Sequence, residues 1–149
     1  MINSRPGLKT SMFTLFRKDK NYPSRLNDLF DPPDPLYIRG NPLLLKMPMI
    51  AIIGSRQASA YGLRNAALFA SQLAQSGALI ISGLARGIDG AAHRAALKVP
   101  DLRFTAAVCG TGLDIVYPKE HLGLATKISQ QGLLISELDL GMGPKPFHF

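Results

Sequence analysis

Four short apolar segments alternate with three longer segments of helical periodicity in the part of the chain that begins at residue 49. The apolar segments are too short for helices and are typical of buried strands, whereas the longer ones space apolar residues three and four apart. The pattern predicts strands at 49–53, 78–82, 104–109 and 133–136, and helices at 60–76, 89–98 and 120–131. Such alternation forms βαβ units with parallel strands and right-handed crossovers. We therefore predict an α/β fold, a three-layer sandwich with a mostly parallel central sheet.

The first 48 residues lack this alternation. Residues 1–21 are polar and basic, and we interpret them as a flexible arm or the remnant of a preceding domain. Residues 22–48 contain six of the eleven prolines, which break helices, so we predict an extended and irregular lead-in. Residues 22–149 then form one domain. An α/β domain rarely stops on a turn such as 144–149, so we expect it to be incomplete at its C-terminal side.

The composition restricts the class of protein. A length of 149 residues with 46% hydrophobic and 18% charged residues suits one globular domain. No apolar run approaches the ~20 residues of a membrane helix, so we expect no membrane partner. Cys109 is the single cysteine and cannot form an internal disulfide, which favours a cytoplasmic location. The net charge of +7 favours a polyanionic partner, although it also fits general solubility.

Four loops follow the predicted strands and should meet at one edge of the sheet. Ligands of open parallel sheets bind at the carboxyl ends of the strands. The first three loops are rich in glycine, which lets backbone N–H groups turn towards an anion. The sequence therefore predicts an anion site formed by residues 54–59, 83–89, 110–114 and 137–143.

The loop Gly54–Ser59 argues against a nucleotide cofactor. A dinucleotide site needs G-x-G-x-x-G, and here Arg56 and Ser59 occupy the second and third glycine positions. The chain has no Walker sequence and no cysteine or carboxylate cluster for a metal, so we expect neither cofactor nor metal. Arg56 could fork two phosphate oxygens or form a structural salt bridge across the strand ends, and the loop alone leaves both roles open.

The loop Gly83–Asp89 carries one arginine between two glycines. Arg86 could contact a phosphate or pair with Asp89 or Asp114. Asp89 is better explained as the side-chain cap of the next helix than as a general base. His93 lies one turn into that helix, where we expect a packing or hydrogen-bonding role rather than catalysis.

Three further residues near the strand ends are candidates for the site. Lys119, in the sequence Y-P-K, is a candidate phosphate contact. Tyr117 could stack a base, although aromatic residues at such junctions usually pack against protein. Glu137 follows the fourth predicted strand, and its structural role would be to pair with one of the two loop arginines.

Six motifs occur in a fixed order and spacing. They are Y-P at 22–23, D-P-P-D-P-L-Y-I-R-G at 31–40, I-I-G-S-R-Q-A-S-x-Y-G at 52–62, S-G-L-A-R-G-I-D-G-A-A-H at 82–93, G-T-G-L-D-I-V-Y-P-K at 110–119 and I-S-E at 135–137. Any one of them is a weak signal, but the combination is highly specific. Over about residues 22–149 the chain resembles the bacterial DNA-processing protein A family, also called the Smf family.

The resemblance implies a Rossmann-like fold that binds single-stranded DNA and is not an enzyme. It also implies protection of incoming DNA during natural transformation and help in loading the RecA recombinase. By the same likeness Arg56 and Lys119 would be DNA contacts. The residues implied to line their pocket are Gly54, Ser55, Gly83 and Arg86.

The family's sequence continues with F-P-x-R-N-R, whereas this chain ends at Phe147-His148-Phe149. Phe149 matches the phenylalanine of that motif and could stack a base. The basic R-N-R segment is missing, and so are the later strands through which the family is thought to dimerise and meet RecA. We therefore expect the full-length protein to form a homodimer and to contact RecA, and we do not expect either of the 149-residue chain.

Two other functions stay open at this point. A related set of Rossmann-like proteins hydrolyses nucleotides with a glutamate over a ribose phosphate, and Asp89 or Glu137 could serve that chemistry. The sequence lacks a paired carboxylate motif or an activated nucleophile, which counts against it. A purely structural domain that recruits a protein partner is the third possibility.

Overall fold

The computed structural model describes residues 10–101 and 105–148. Its centre is a six-stranded sheet with the order β1-β2-β6-β5-β4-β3. The strands are β1 (Met12–Leu15), β2 (Leu36–Gly40), β3 (Met49–Ala51), β4 (Leu79–Gly83), β5 (Thr105–Val108) and β6 (Leu133–Ser136). The helices are α1 (Ala60–Gln75), α2 (Ile88–Ala96) and α3 (Leu122–Gln131).

Strands β3, β4, β5 and β6 are parallel, which confirms the α/β fold with a mostly parallel sheet. Successive crossovers move across the sheet in one direction, so right-handed connections place all three helices on the same face. The packing agrees with this placement. Ile80 of β4 clusters with Ala70 of α1 and Ala92 of α2, and Leu134 of β6 clusters with Ile128 of α3.

The predicted helices and strands after residue 49 are confirmed to within two residues at most ends. The last predicted helix is divided into a 3-10 turn, Lys119–His121, and α3. Residue 104, predicted to begin a strand, lies outside the described residues. Among the described helices, none has the length and apolar character needed to cross a bilayer.

The first part of the chain differs from the sequence prediction. Met12–Leu15 and Leu36–Gly40 pair with each other in antiparallel register, and the second of them also pairs with β6. Residues 1–21, expected to be a flexible arm or the remnant of a preceding domain, therefore contribute the edge strand β1. The lead-in, expected to be irregular, contributes β2 inside the sheet. The prolines concealed this strand, because Pro35 directly precedes it and Pro42 follows it within two residues. The five residues of β2 then alternate buried Leu36 and Ile38 with less buried neighbours, as a strand requires.

The face of the sheet opposite the helices is covered by the lead-in. Leu79 and Leu133 pack there against Tyr22 and Leu44, and all four side chains are buried. The covering segment is built from 3-10 turns at Ser24–Asp28 and Pro42–Lys46. The third layer of the sandwich consists of these turns, and it leaves the strand ends of the same face open.

Candidate functional site

A cavity of about 1270 Å³ opens where β3 to β6 end, on the face opposite the helices. Its floor is apolar and includes Ile81, Val108 and Ile135 from the sheet. Val108 is 47% exposed, although it lies in a strand, because the cavity stands over it. The residues that line the cavity after the strand ends are Ile53, Gly54, Arg56, Gly83, Leu84, Ala85, Arg86, Asp89, Cys109, Gly110, Glu137 and Leu138.

The first two loops interlock through their glycines. Gly87 has a φ of +74°, and a Cβ there would overlap the carbonyl oxygen of Ser55. A Cβ on Gly54 would lie 2.7 Å from the Ile88 side chain. The Ile88 N–H donates to the Ser55 carbonyl at 3.2 Å, which ties the loops together. The glycines are therefore needed for the contact between the loops.

Arg56 lies exposed in a loop with hydrogen bonds on both sides of it. The Gln57 N–H donates to Ser55 Oγ at 3.1 Å, and the Gly62 N–H donates to Ser59 Oγ at 3.1 Å. Ser59 is thus the N-cap of α1 and not a substitute for the third glycine of a nucleotide fingerprint. These contacts order the Arg56 backbone at the rim of the cavity.

Arg86 forms an ion pair that sequence reasoning did not anticipate. Its Nε donates to Glu120 Oε1, whereas the sequence prediction named Asp89, Asp114 or Glu137 as partners. Those expectations were wrong for Arg86 because the 3-10 turn Lys119–His121 brings Glu120 beside the second loop. The hydrogen bond to Arg86 lowers the pKa of Glu120, and the bond to Glu120 raises the pKa of Arg86. Both side chains are about half exposed, so the pair leaves Arg86 accessible to a ligand.

Asp89 does not cap α2, which corrects the role predicted for it. The N-cap of α2 is Gly87, without a side-chain cap hydrogen bond, and Asp89 lies one residue inside the first turn. A carboxylate there still interacts favourably with the positive end of the helix dipole. Asp89 is buried and faces Gly83, where a Cβ would lie 2.6 Å from its Oδ2 atom. Its carboxylate therefore lines the cavity instead of satisfying the helix end.

His93 is fully buried and lies directly beneath the second loop, residues 83–89. Its Nε2 lies 3.1 Å from the Gly83 carbonyl oxygen and its Nδ1 lies 2.9 Å from Thr105 Oγ1. A carbonyl oxygen only accepts, so Nε2 carries the ring proton in its contact with Gly83, while the Thr105 hydroxyl donates to the Ile80 carbonyl oxygen at 2.6 Å. Burial lowers the pKa of His93 to about 4, so the ring is neutral at pH 7. The predicted hydrogen-bonding role is confirmed.

The third loop is positioned by the segment that follows β6. A Cβ on Gly112 would lie 2.9 Å from Asp114 Oδ1, and Asp114 Oδ1 accepts from the Gly141 N–H at 2.8 Å. Tyr117 lines the cavity, whereas Lys119 is exposed at the start of the adjoining 3-10 turn and is not part of the lining.

The structure therefore brings four predicted site residues, Gly54, Arg56, Gly83 and Arg86, to one cavity. Ser55 lies between Gly54 and Arg56 on the same loop, and Lys119 lies at the start of the 3-10 turn Lys119–His121. Phe149, the remaining predicted contact, lies outside the described residues.

Sequence reasoning missed the contribution of the lead-in and of the end of the described chain. Lys20, Arg25 and Lys46 line the wall of the cavity opposite the glycine loops. His148 also lines it, and its Nδ1 lies 3.2 Å from the Gly110 carbonyl oxygen. The basic character of residues 1–21 points to Lys20 alone, whereas nothing in the proline-rich lead-in singles out Arg25 or Lys46. No group of three or more metal-ligating side chains occurs within residues 10–101 and 105–148.

The fold and this site together define a Rossmann-like domain with a cationic ligand cavity at the carboxyl edge of its parallel strands. The chain belongs to the DNA recombination-mediator protein A family, whose model matches residues 13–149. DNA processing protein DprA of Streptococcus pneumoniae is 42% identical over 131 residues, which cover 88% of this chain and 45% of that protein. Protein Smf of Escherichia coli is 42% identical over 129 residues, which cover 86% of this chain and 34% of that protein. The chain thus spans less than half the length of these relatives.

Two solved structures are similar to this fold. DNA processing protein A from Streptococcus pneumoniae superimposes with a TM-score of 0.84 at 39% identity, over 95% of this chain and 48% of that one. DNA processing protein A from Helicobacter pylori superimposes with a TM-score of 0.81 at 32% identity, over 95% of this chain and 62% of that one. The structure of the Helicobacter pylori protein concerns its single-stranded DNA binding mode.

Proposed function

We propose that the strand-end cavity binds single-stranded DNA through its phosphates, with little dependence on base sequence. The observation that carries this is the presence of Arg56 and Arg86 on two interlocked glycine loops of one cavity. Guanidinium groups fork phosphate oxygens, and glycine lets the DNA backbone approach the chain closely. Lys119 and the backbone of Ser55 would add contacts from the same loops.

The apolar floor of the cavity favours a single strand over a duplex. Met47, Ile53 and Val108 line it, so flat and weakly polar surfaces can be buried there. A single strand exposes its bases to such a surface, whereas a duplex presents a phosphate exterior and keeps its bases stacked inside. Phe149, which matches the family's phenylalanine, would offer a further stacking face.

The family supports the same ligand and a wider role. The single-stranded DNA binding mode of the Helicobacter pylori protein makes the same ligand reasonable for this chain. For the full-length protein we propose a non-enzymatic cytoplasmic function in natural transformation. It would protect incoming single strands, form a homodimer and help to load the RecA recombinase onto DNA.

Fluorescence anisotropy tests the proposal with the 149-residue chain. A labelled poly-dT oligonucleotide is compared with a mixed-sequence strand and with a duplex of equal length. We expect the two single strands to bind within about tenfold of each other and the duplex to bind more weakly, because stacking varies little with sequence. A preference of several hundredfold for one sequence, or tighter binding of the duplex, would contradict the proposal.

Hydrolysis of a nucleotide is the alternative that the cavity allows. Asp89 and Glu137 both line it, beside the loops that would hold a phosphate. We expect no turnover of nucleoside monophosphates, because the sequence lacks a paired carboxylate motif and an activated nucleophile. Turnover of a nucleoside monophosphate that is abolished by Glu137→Gln would establish an enzyme instead.

A further inference from the structure

A second groove, of about 860 Å³, runs over the helix layer between α1 and α2. Arg56 and Arg86 line both this groove and the strand-end cavity. The two concave surfaces therefore share a boundary made of the residues that are proposed to hold phosphate. A polymer held at that boundary can extend into either surface.

The lining of the groove is cationic. Arg64 of α1 stands on one side, and Arg94 and Lys98 stand on the other. Apart from His121 and from Arg56 and Arg86 at the shared boundary, the remaining lining residues have no titratable side chain, and many are small, so the charged groups flank an open channel. The lining among the described residues contains no carboxylate, and Glu120 contributes only through its pair with Arg86 near the shared boundary. The full list is Arg56, Gln57, Ala58, Leu63, Arg64, Ala67, Leu68, Ser71, Arg86, Gly87, Ala91, Arg94, Ala95, Lys98 and His121.

Arg94 is held in place by buried groups. Its Nη2 donates to His121 Nε2 at 3.1 Å, and His121 Nδ1 donates to the Leu84 carbonyl oxygen at 2.8 Å. The Leu84 carbonyl can only accept, so Nδ1 carries the ring proton and Nε2 is free to accept from the guanidinium. Gly90 makes room for this arrangement, because a Cβ there would lie 2.8 Å from Arg94 Nη1. The orientation of Arg94 is therefore built into the fold, unlike that of an ordinary surface arginine.

The cations are spread along both walls of the groove, which suits a chain of phosphates better than a single small anion. Arg94 lies in the last turn of α2, and Lys98 lies in the turn that follows the end of this helix at Ala96. Arg64 faces them across the groove. Tyr61 lies one helical turn before Arg64 and is 71% exposed, which places an aromatic face beside the cations. Cations interleaved with an exposed aromatic ring are typical of surfaces that bind single-stranded nucleic acid.

We propose that the α1–α2 groove is a second binding surface for single-stranded DNA. In this arrangement the strand leaves the strand-end cavity between Arg56 and Arg86 and continues along the groove past Arg64, Arg94 and Lys98. This inference rests on the proposed function of the cavity. It adds a defined path for the strand beyond the cavity, across the helix layer.

The test compares two strand lengths and two double variants of the 149-residue chain. A poly-dT of about four nucleotides can occupy the cavity alone, whereas one of about sixteen can reach into the groove. Arg64→Ala/Lys98→Ala removes two groove cations. Lys18→Ala/Lys127→Ala removes the same charge from exposed positions that line neither concave surface. Thermal melts establish that both variants fold.

We expect Arg64→Ala/Lys98→Ala to weaken binding of the long strand about tenfold or more and to leave the short strand within about twofold. Its log–log salt slope for the long strand should become less steep by about 1.4, because two phosphate contacts are lost. Equal weakening by the Lys18→Ala/Lys127→Ala control, or unchanged binding of the long strand by Arg64→Ala/Lys98→Ala, would contradict DNA binding by the groove. Neither result would contradict DNA binding by the cavity. Failure of the unmodified chain to bind either strand would overturn the proposed function and the groove with it.

Discussion

Arg56 stands at the boundary between the strand-end cavity and the groove, so its removal should affect DNA more than stability. Its backbone is ordered by the bonds around Ser55 and Ser59, and its side chain is exposed. Charge-assisted contacts of a guanidinium with phosphate are worth roughly 1.5–3 kcal/mol. We expect Arg56→Ala to weaken single-strand binding about tenfold to a hundredfold. Arg56→Lys should restore only part of this, because an ammonium group cannot fork two oxygens.

A matched control separates this role of Arg56 from general charge and from structure. Lys127→Ala removes one positive charge from an exposed position of α3 and should leave the affinity almost unchanged. If Arg56 had the alternative role of a structural salt bridge, Arg56→Ala would lower the melting temperature and leave the affinity of the folded protein as it was. Measuring the melting temperature and the anisotropy of each variant decides between the two.

His93 should make the domain sensitive to acid. Burial lowers its pKa to about 4 in the folded protein, against an ordinary value of 6.5. Below pH 6.5 the unfolded chain therefore binds a proton that the folded protein refuses, and the free energy of unfolding decreases as the pH falls towards 4. The loss from this residue should reach about 3 kcal/mol at pH 4.

Urea denaturation at pH 7 and at pH 4 checks the contribution of His93. Glutamine can keep a donor for the Gly83 carbonyl but does not titrate, so His93→Gln should lose less free energy over this range than the unmodified protein, whatever its stability at pH 7. An equal loss in both proteins would show that the carboxylates alone cause the acid sensitivity.

At the scale of elements, the glycine loops act as one unit because they touch. Gly87→Ala should force the loops apart, since its φ is +74° and a Cβ would overlap the Ser55 carbonyl. Gly77→Ala is the matched control, because Gly77 has a φ of +88° but nothing within 4 Å of a Cβ. The control should cost about 1 kcal/mol from backbone strain alone. Gly87→Ala should cost more and should also weaken DNA binding, which Gly77→Ala should not. Equal effects of the two variants on binding would mean that the loop contact is irrelevant to the site.

The elements after residue 49 could be predicted because their periodicity and their packing agree. Each strand is a short apolar run, and each helix buries one face, which consists of alanines in α1 and includes Leu124 and Ile128 in α3. Strands β1 and β2 could not be found this way, because β1 is a short edge strand and β2 follows a cluster of prolines. The position of β2 depends on pairing with β6, which is more than ninety residues away in sequence, and the position of β1 depends on pairing with β2. Local patterns carry no information about such long-range partners.

The candidate site, like the fold, could be predicted only where local sequence patterns determine it. The strand-end loops could be located from the glycines and from the rule that ligands bind at carboxyl ends of parallel strands. The partner of Arg86 and the lining by Lys20, Arg25 and Lys46 could not be predicted, because each depends on the course of a turn or of the lead-in. A sequence shows which charged residues exist, but the fold decides which of them share a cavity.

At the scale of the whole molecule, the net charge of +7 alone would attract any polyanion, and salt distinguishes such attraction from direct contacts. Exposed charges separated by more than about 10 Å are largely screened at 0.1 M salt, whereas each phosphate contact adds about −0.7 to the log–log salt slope for a single strand. With about three contacts, from Arg56 and Arg86 in the cavity and from Lys119 beside it, a short poly-dT should give a slope near −2. Arg56→Ala should bring the slope closer to zero by about 0.7, while Lys127→Ala should leave it unchanged. Anisotropy titrations between about 50 and 200 mM salt measure these slopes. A flat response would mean that phosphate neutralisation does not drive binding, and a slope altered equally by both variants would mean that Arg56 contributes only its charge.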